Sequence, residues 1–348
     1  MPQPPVLDHL IRLSDDVGII QHAVEDIPNR STGYCTDDVA RAFIVAVIAM
    51  NCGAYDRNAK RLAGTYLSFL FDAQRPDGRF HNFMGYDRNW QDDRGSDDSF
   101  GRAFWAAGFG MRRAAPDSWR RICEKIVERA LPHLAEPAPL RSHAYAALGL
   151  IHAIASGNQP ERFHSTLAGC LETIRSGYRE HASLAWRWCE QTMTYDNARL
   201  CEALIAGGVA VGDGDAIDVG LKMLDFYASL TIEDGMFVPV GNDGWHTRGG
   251  VRARFGQQPL EAAALIDASL AAHAYTSDSR YLTLAESGYE WFLGRNTHRV
   301  SLVLDGGCCD GIDRGGANLN RGAESTLAYL AGALAWVQRG AAPLRIAR

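Results

Sequence analysis

The sequence predicts an all-α fold. It is an (α/α)6 toroid in which six helical hairpins close into a single domain over residues 1–348, with short β-hairpins in the loops at one mouth. Three observations predict it. Segments rich in Ala and Leu carry apolar residues three and four positions apart, the helical period, through most of the chain. A helix start made of a polar or acidic cluster and then small apolar residues recurs six times, roughly 57 residues apart, which marks a repeated pair of helices. The long Gly-, Asp- and Trp-rich connections all precede those starts, which gathers them at one end and favours a ring over an open solenoid with polar caps.

The periodic segments, in chain order, are 38–50, 58–71, 99–112, 119–134, 142–156, 197–207, 216–230, 259–276, 280–294 and 322–339. The six marked starts are TDDVARAFIVA from Thr36, SDDSFGRAFWAA from Ser96, RSHAYAALGLI from Arg141, TYDNARLCEALI from Thr194, QPLEAAALIDA from Gln258 and NRGAESTLAYLAGAL from Asn320. Their small residues suit close packing round the axis, so these helices form the inner layer with their N-termini at one mouth. Strand signal is confined to 79–84, 236–240 and 300–304. Asp77-Gly78-Arg79-Phe80 and Asp234-Gly235-Met236-Phe237 are two copies of one pattern, a tight turn followed by a short strand.

Composition excludes several functions. Of 348 residues, 47% are apolar, 22% charged and 9% aromatic, an ordinary globular profile. Net charge is −6, from 35 basic and 41 acidic residues, so nothing draws the chain to nucleic acid or an anionic membrane. The longest apolar run, 42–50, is far short of the ~20 residues of a membrane helix. The start MPQPPVLDHLIRLSDD lacks a basic stretch leading into an apolar one, which predicts a cytoplasmic protein. Eight cysteines without a CxxC pair read as reduced, mostly buried thiols. A zinc site on adjacent Cys308 and Cys309 has no supporting ligand spacing. No metal or organic cofactor is expected, and oligomeric state is not legible.

At the mouth the inner starts present Asp37, Asp38, Asp97, Asp98, His143, Tyr195, Asp196, Glu261 and Glu324. Helix-capping and first-turn acids would account for any one of them. That account explains less well why the starts share the feature while the intervening helices mostly lack it. The connections add His81 and Trp90, then Trp186 and Trp188, then Trp245 and His246, with Phe80 and Tyr86. Arg102, Arg199, Arg252, Arg254, Gln257 and Arg295 supply polar forks, and Trp105, on a helix, is expected to pack in the core. Aromatic faces stack on pyranose C–H faces while carboxylates, imidazoles and guanidinium groups fork onto vicinal hydroxyls. The set points to an oligosaccharide bound by Asp97, Asp98, Arg102, His81, Trp90, His143, Trp188, Tyr195, Asp196, Trp245, His246, Arg254 and Glu261.

Particular segments resemble six-hairpin glycosidases. Trp291 to Asn296, then Val300 to Leu304 and Asp305-Gly306-Gly307, resembles the LGRNP…SYVTG segment of family 9 cellulases. Asn320 to Ala328 is similar to that family's last inner helix, which carries its general-acid Glu; the resemblance gives that role to Glu324. Gly33 to Arg41 is similar to the segment holding the family's two Asp, one of them the base. Here the two acids are adjacent where the family's are three apart, so the base is Asp37 or Asp38. The same segment is similar to bacterial proteins labelled glycosidase- or glycosyltransferase-like. Gly207, Gly208, Gly212 and Gly214 do not form GxGxxG after a strand, which argues against a nucleotide-sugar site.

The resulting expectation is a glycoside hydrolase, of the inverting kind, with Glu324 as acid and Asp38 or Asp37 as base across one sugar. A sugar 2-epimerase or isomerase on the same toroid, working through His143, His81 or His246, is the second reading. A non-catalytic carbohydrate-binding toroid is the third, and a lanthionine-cyclase-like zinc toroid the most remote.

Overall fold

The computed structural model describes residues 4–52, 56–114, 116–157 and 160–339. Twelve α-helices lie among them. Six form the inner layer: α2 (Thr36–Asn51), α4 (Asp97–Arg113), α6 (Leu140–Ala155), α8 (Asn197–Val211), α10 (Pro259–Thr276) and α12 (Ala323–Gln338). Each packs on the next, and α12 packs on α2, so the ring closes. The outer layer holds α3 (Asp56–Ala73), α5 (Asp117–Ala130), α7 (Pro160–His181), α9 (Gly214–Thr231) and α11 (Arg280–Phe292). The sixth outer position is taken by α1 (Asp8–Leu13), a six-residue helix against α12.

The two layers follow from composition. Inner helices such as α10 and α12 are apolar on nearly every face, because they touch neighbours on both sides and the outer helices behind. Small residues let them approach. A Cβ on Gly108 of α4 would lie 2.2 Å from the carbonyl oxygen of Gly149 in α6, so only glycine fits that crossing. Outer helices are amphipathic; α5 buries Cys123, Ile126, Val127 and Ala130 and turns its charges to solvent.

The seam is locked by the segment before α2. The His9 imidazole Nε2 bonds the Arg321 carbonyl at 2.8 Å, the Arg321 amide donates to Glu25 O (2.8 Å) and the Ala323 amide to Gln21 O (3.0 Å). Short antiparallel pairs tie neighbouring mouth connections together: Tyr34–Cys35 with Phe83–Met84, and Thr192–Met193 with His246–Thr247. A bridge joins Gln257 to Ile312 in the same way.

Local expectations fared unevenly. The 259–276 helix has the bounds the pattern gives, five others run three or four residues longer, and the last two, Arg280–Phe292 and Ala323–Gln338, stop short of theirs. Residues 131–135 of the expected 119–134 helix are 3₁₀, after Pro132 removes an amide. Asp234-Gly235 makes the foreseen hairpin, both residues left-handed (φ 50° and 74°) between Ile232–Glu233 and Met236–Phe237. Asp77-Gly78 makes a turn closed by a single bridge, Gln74 to Phe80. Helices α1 and α7 were not foreseen.

Candidate active site

A capping role predicts that the inner-start side chains bond their own helix amides. They do not: only α4 has a side-chain cap, from Ser96, and α2, α6, α8, α10 and α12 have none. Several of the acids meet arginines instead: Asp37 and Glu324 meet Arg41, and Asp196 meets Arg102.

A cavity of about 250 Å³ opens at the mouth, near the ~300 Å³ lower end of small-ligand sites. Its wall brings together Asp37 of α2, Asp98 and Arg102 of α4, Tyr195 before α8, Trp245 and Asn242 of the connection before α10, Gln258 and Leu260 at the start of α10, and Glu324 of α12. Three carboxylates and two aromatic rings therefore share one hollow. Tyr195 and Trp245 stand with ring centroids 6.5 Å apart. The Tyr195 hydroxyl donates to Asp98 Oδ2 (2.5 Å), and Ser142 Oγ donates to Oδ1 (3.1 Å). Trp245 holds a left-handed backbone (φ 57°), rare for a bulky residue and characteristic of functional loops.

Arg41 organises the seam. It donates from Nε (2.9 Å) and Nη2 (2.7 Å) to Asp37 Oδ1, and from Nη2 to Glu324 Oε2 (2.9 Å); Asp38 Oδ1 lies 3.5 Å away. Asp38 and Glu324 thus meet the same Nη2. The same holds for Asp37 and Glu324. One guanidinium thereby draws all three carboxylates together.

Asp37 and Asp38 are shifted in opposite directions. Burial raises Asp38 to about 7, with Asp37 and Glu324 adding to the rise against Arg41. Burial acts the same way on Asp37, but Arg102 and Arg41 outweigh it and hold that carboxyl below its usual range. Glu324 is the most exposed, its side chain 44% accessible against 20% for Asp37 and 5% for Asp38.

Other expected site residues lie elsewhere. Trp188 is wholly buried beside Tyr227, so it is core. Glu261 is 1% exposed and accepts from Tyr227 Oη (2.7 Å) and Asn197 Nδ2 (3.1 Å), which satisfies it inside the wall. Asp196 is buried behind Arg102. His246 is packed against Trp186. His81 stacks on Trp90 at 4.9 Å and bonds the Asp92 carbonyl, so these two residues occupy each other. His143 and Asp97 line a second, much smaller cavity with Arg79 and His133. Arg254 is exposed and pairs with Glu233. Trp105, expected in the core, is half-buried, parallel to Tyr145 and under the Arg199 guanidinium.

Sequence reasoning missed Arg41, Asn242 and Gln258. Arg41 carried a signal: Asp37–Arg41 and Asp98–Arg102 are spaced i,i+4 and Asp196–Arg199 i,i+3, an acid with an arginine one turn on at three inner starts. Among the described residues no group of three or more His, Cys, Asp or Glu could hold a metal ion, and no helix is long and apolar enough to cross a membrane.

Solved structures of the same architecture are numerous. The cellobiose 2-epimerase of Bacillus thermoamylovorans superposes with a TM-score of 0.76 at 10% identity, over 96% of each chain. The chain has the six-hairpin (α/α)6 toroid fold. A sugar epimerase from a ruminal bacterium is similar over 95% of both chains (TM-score 0.74, 11% identity). A cellulase of Clostridium cellulolyticum in complex with cellobiose is similar over 92% of this chain and 87% of its own (0.64, 9%). No family model and no curated protein sequence matches the chain.

Proposed function

We propose that this toroid is a carbohydrate-active enzyme that works on a small saccharide through the carboxylates at its mouth, and that it cleaves glycosidic bonds. One observation carries the reading: α12 and α2, from opposite ends of the chain, bring Glu324, Asp37 and Asp38 onto one guanidinium at the edge of a cavity that also presents Tyr195 and Trp245. Glu324, the most accessible, is the proton donor to the leaving oxygen. Asp37, held ionised by Arg102 and Arg41, faces the anomeric carbon as nucleophile or base. Asp38 lies behind them.

A sugar 2-epimerase or isomerase is the second reading, and the whole-fold comparison favours it. The epimerases superpose at 0.74–0.76 against 0.64 for the cellulase. The cavity lining favours hydrolysis, because acids and no imidazole stand on its wall among the described residues.

One experiment separates them. The protein is incubated in D2O with a panel of neutral oligosaccharides and with free mannose, glucose and cellobiose. New reducing ends support hydrolysis; deuterium at C2 of an otherwise intact sugar supports epimerisation. Calorimetric binding with neither product would leave a binding toroid. Glu324→Gln is expected to lower hydrolysis by ~10²–10⁴-fold while sugar still binds. Turnover near wild type, on a substrate whose leaving group needs a proton, would remove Glu324 from the role.

A further inference from the structure

We propose that Asp196 is a positioning residue, which acts on the reacting carboxylates from behind the cavity through an unbroken line of alternating charges. Its Oδ2 accepts from Arg102 Nη2 (3.0 Å) and Tyr145 Oη (2.7 Å). Arg102 Nε lies 3.1 Å from Asp37 Oδ1, Asp37 is gripped by Arg41, and Arg41 reaches Glu324 at 2.9 Å. The line runs from α8 through α4 and α2 to α12 and joins the far side of the ring to the seam.

Three features set Asp196 apart from an ordinary helix start. It occupies the cap position of α8 yet its side chain bonds none of that helix's amides. Its backbone is left-handed (φ 49°, ψ 39°), a conformation uncommon outside glycine that Asp and Asn adopt more readily than most. Its Oδ1, 3.6 Å from Arg199 Nε, has no hydrogen-bond partner although the side chain is 2% exposed. A capping Asp would meet none of these conditions. The arrangement spends a favourable cap to keep one negative charge on Arg102, and so limits how strongly Arg102 pulls on Asp37 and Asp38. This inference rests on the carboxylate reading above.

Asp196→Asn tests it, since Asn tolerates the left-handed backbone and removes only the charge. With the charge gone, Arg102 acts on the seam acids unopposed. The Asp38 carboxyl, assigned by loss of its signal in Asp38→Asn and followed by 13C NMR, is expected to titrate at lower pH than in the wild type. The limb of the pH–rate profile that belongs to Asp37, whose Oδ1 lies 3.1 Å from Arg102 Nε, also moves to lower pH. kcat falls on the order of 10²-fold, with KM within a few-fold. An unmoved Asp38 midpoint in folded Asp196→Asn overturns the proposal. So does a wild-type kcat with an unshifted profile. If Asp196→Asn does not fold, Tyr145→Phe removes one partner of its Oδ2 and keeps the ring; a fall in kcat at constant KM supports the proposal and a wild-type kcat overturns it. The titration needs no substrate, so a protein that processes no saccharide defeats the functional reading without deciding this one.

Discussion

The junction of α12 with α2 and the junction of α10 with α8 begin from the same sequence feature and end differently. In each, a glutamate in the first turn of one inner helix reaches the start of its neighbour. Glu261 meets neutral donors, the Tyr227 hydroxyl and the Asn197 amide, and is sealed at 1% exposure. Burial raises it to about 7, with Asp196 adding to the rise against Tyr227. Glu324 meets a cation, Arg41, and its side chain stays 44% accessible on the cavity wall. An acid at an inner start is therefore not itself a mark of chemistry. What decides is whether its partners exhaust its hydrogen-bonding capacity or leave an oxygen facing the hollow.

Truncation of each glutamate is the harshest way to break that contrast. Glu261→Ala strands the Tyr227 hydroxyl and the Asn197 amide in a dry wall and opens a void, which should cost about 3 kcal/mol or more. Glu324→Ala removes a solvent-facing group whose partner keeps Asp37, and should change stability by no more than about 1 kcal/mol while abolishing turnover. Urea melts of the two variants beside an activity assay measure both. Equal losses of stability would show that the two junctions are built alike.

The same contrast explains what the sequence could show. The ring was legible because its cause is local: small apolar residues at helical spacing, an acidic start, and connections collected at one end. Helix α7 was passed over although Phe163, Leu167, Leu171, Ile174 and Tyr178 keep the helical spacing, because it lacks the inner-layer start that marked the repeat. Helix α1 is too short to show a period. At the site, Asp37, Asp98, Arg102, Tyr195, Trp245 and Glu324 were read from type and position and do share the cavity wall. Trp188, Asp196, Glu261 and His246 had equal claims on type. They were lost to the core because burial depends on residues distant in the chain, such as Tyr227 against Trp188 and Trp186 against His246.

A milder probe uses pH. Three buried acids, Asp38, Glu202 and Glu261, are raised to about 7, each chiefly by burial. An acid raised on folding adds stability that is full below its unfolded pKa near 4 and lost as pH rises through its folded value. These acids should therefore lower the melting temperature as pH rises from about 4.5 to 7, against the rise that the lowered His9, His143, His152 and His246 give below about pH 6.5. The contribution of Glu261 is of order 3 kcal/mol at most. Glu261→Gln, which keeps the shape and cannot ionise, should flatten that fall. Asp37 and Asp196 are lowered, so their contribution has the opposite sign and is lost below about pH 4. A pH dependence of the melting temperature between about pH 4.5 and 7 that is the same in Glu261→Gln as in the wild type would contradict the burial assigned to Glu261.

The smallest expected effect falls on the aromatic side of the cavity. Trp245 is half-buried, and its ring stands against Tyr195 beside the carboxylates. If it serves as a stacking platform for a pyranose, it binds substrate and transition state alike, so its removal should act on KM and spare kcat. Trp245→Ala would raise KM by roughly tenfold, the equivalent of about 1.4 kcal/mol. The left-handed backbone at this position makes Trp245→Gly the sharper control, because glycine accepts that conformation without strain. A KM effect shared by both variants belongs to the lost ring. One that appears in Ala and not in Gly belongs to the loop's backbone, and Trp245 would then be a hinge of the connection rather than a wall of the sugar site.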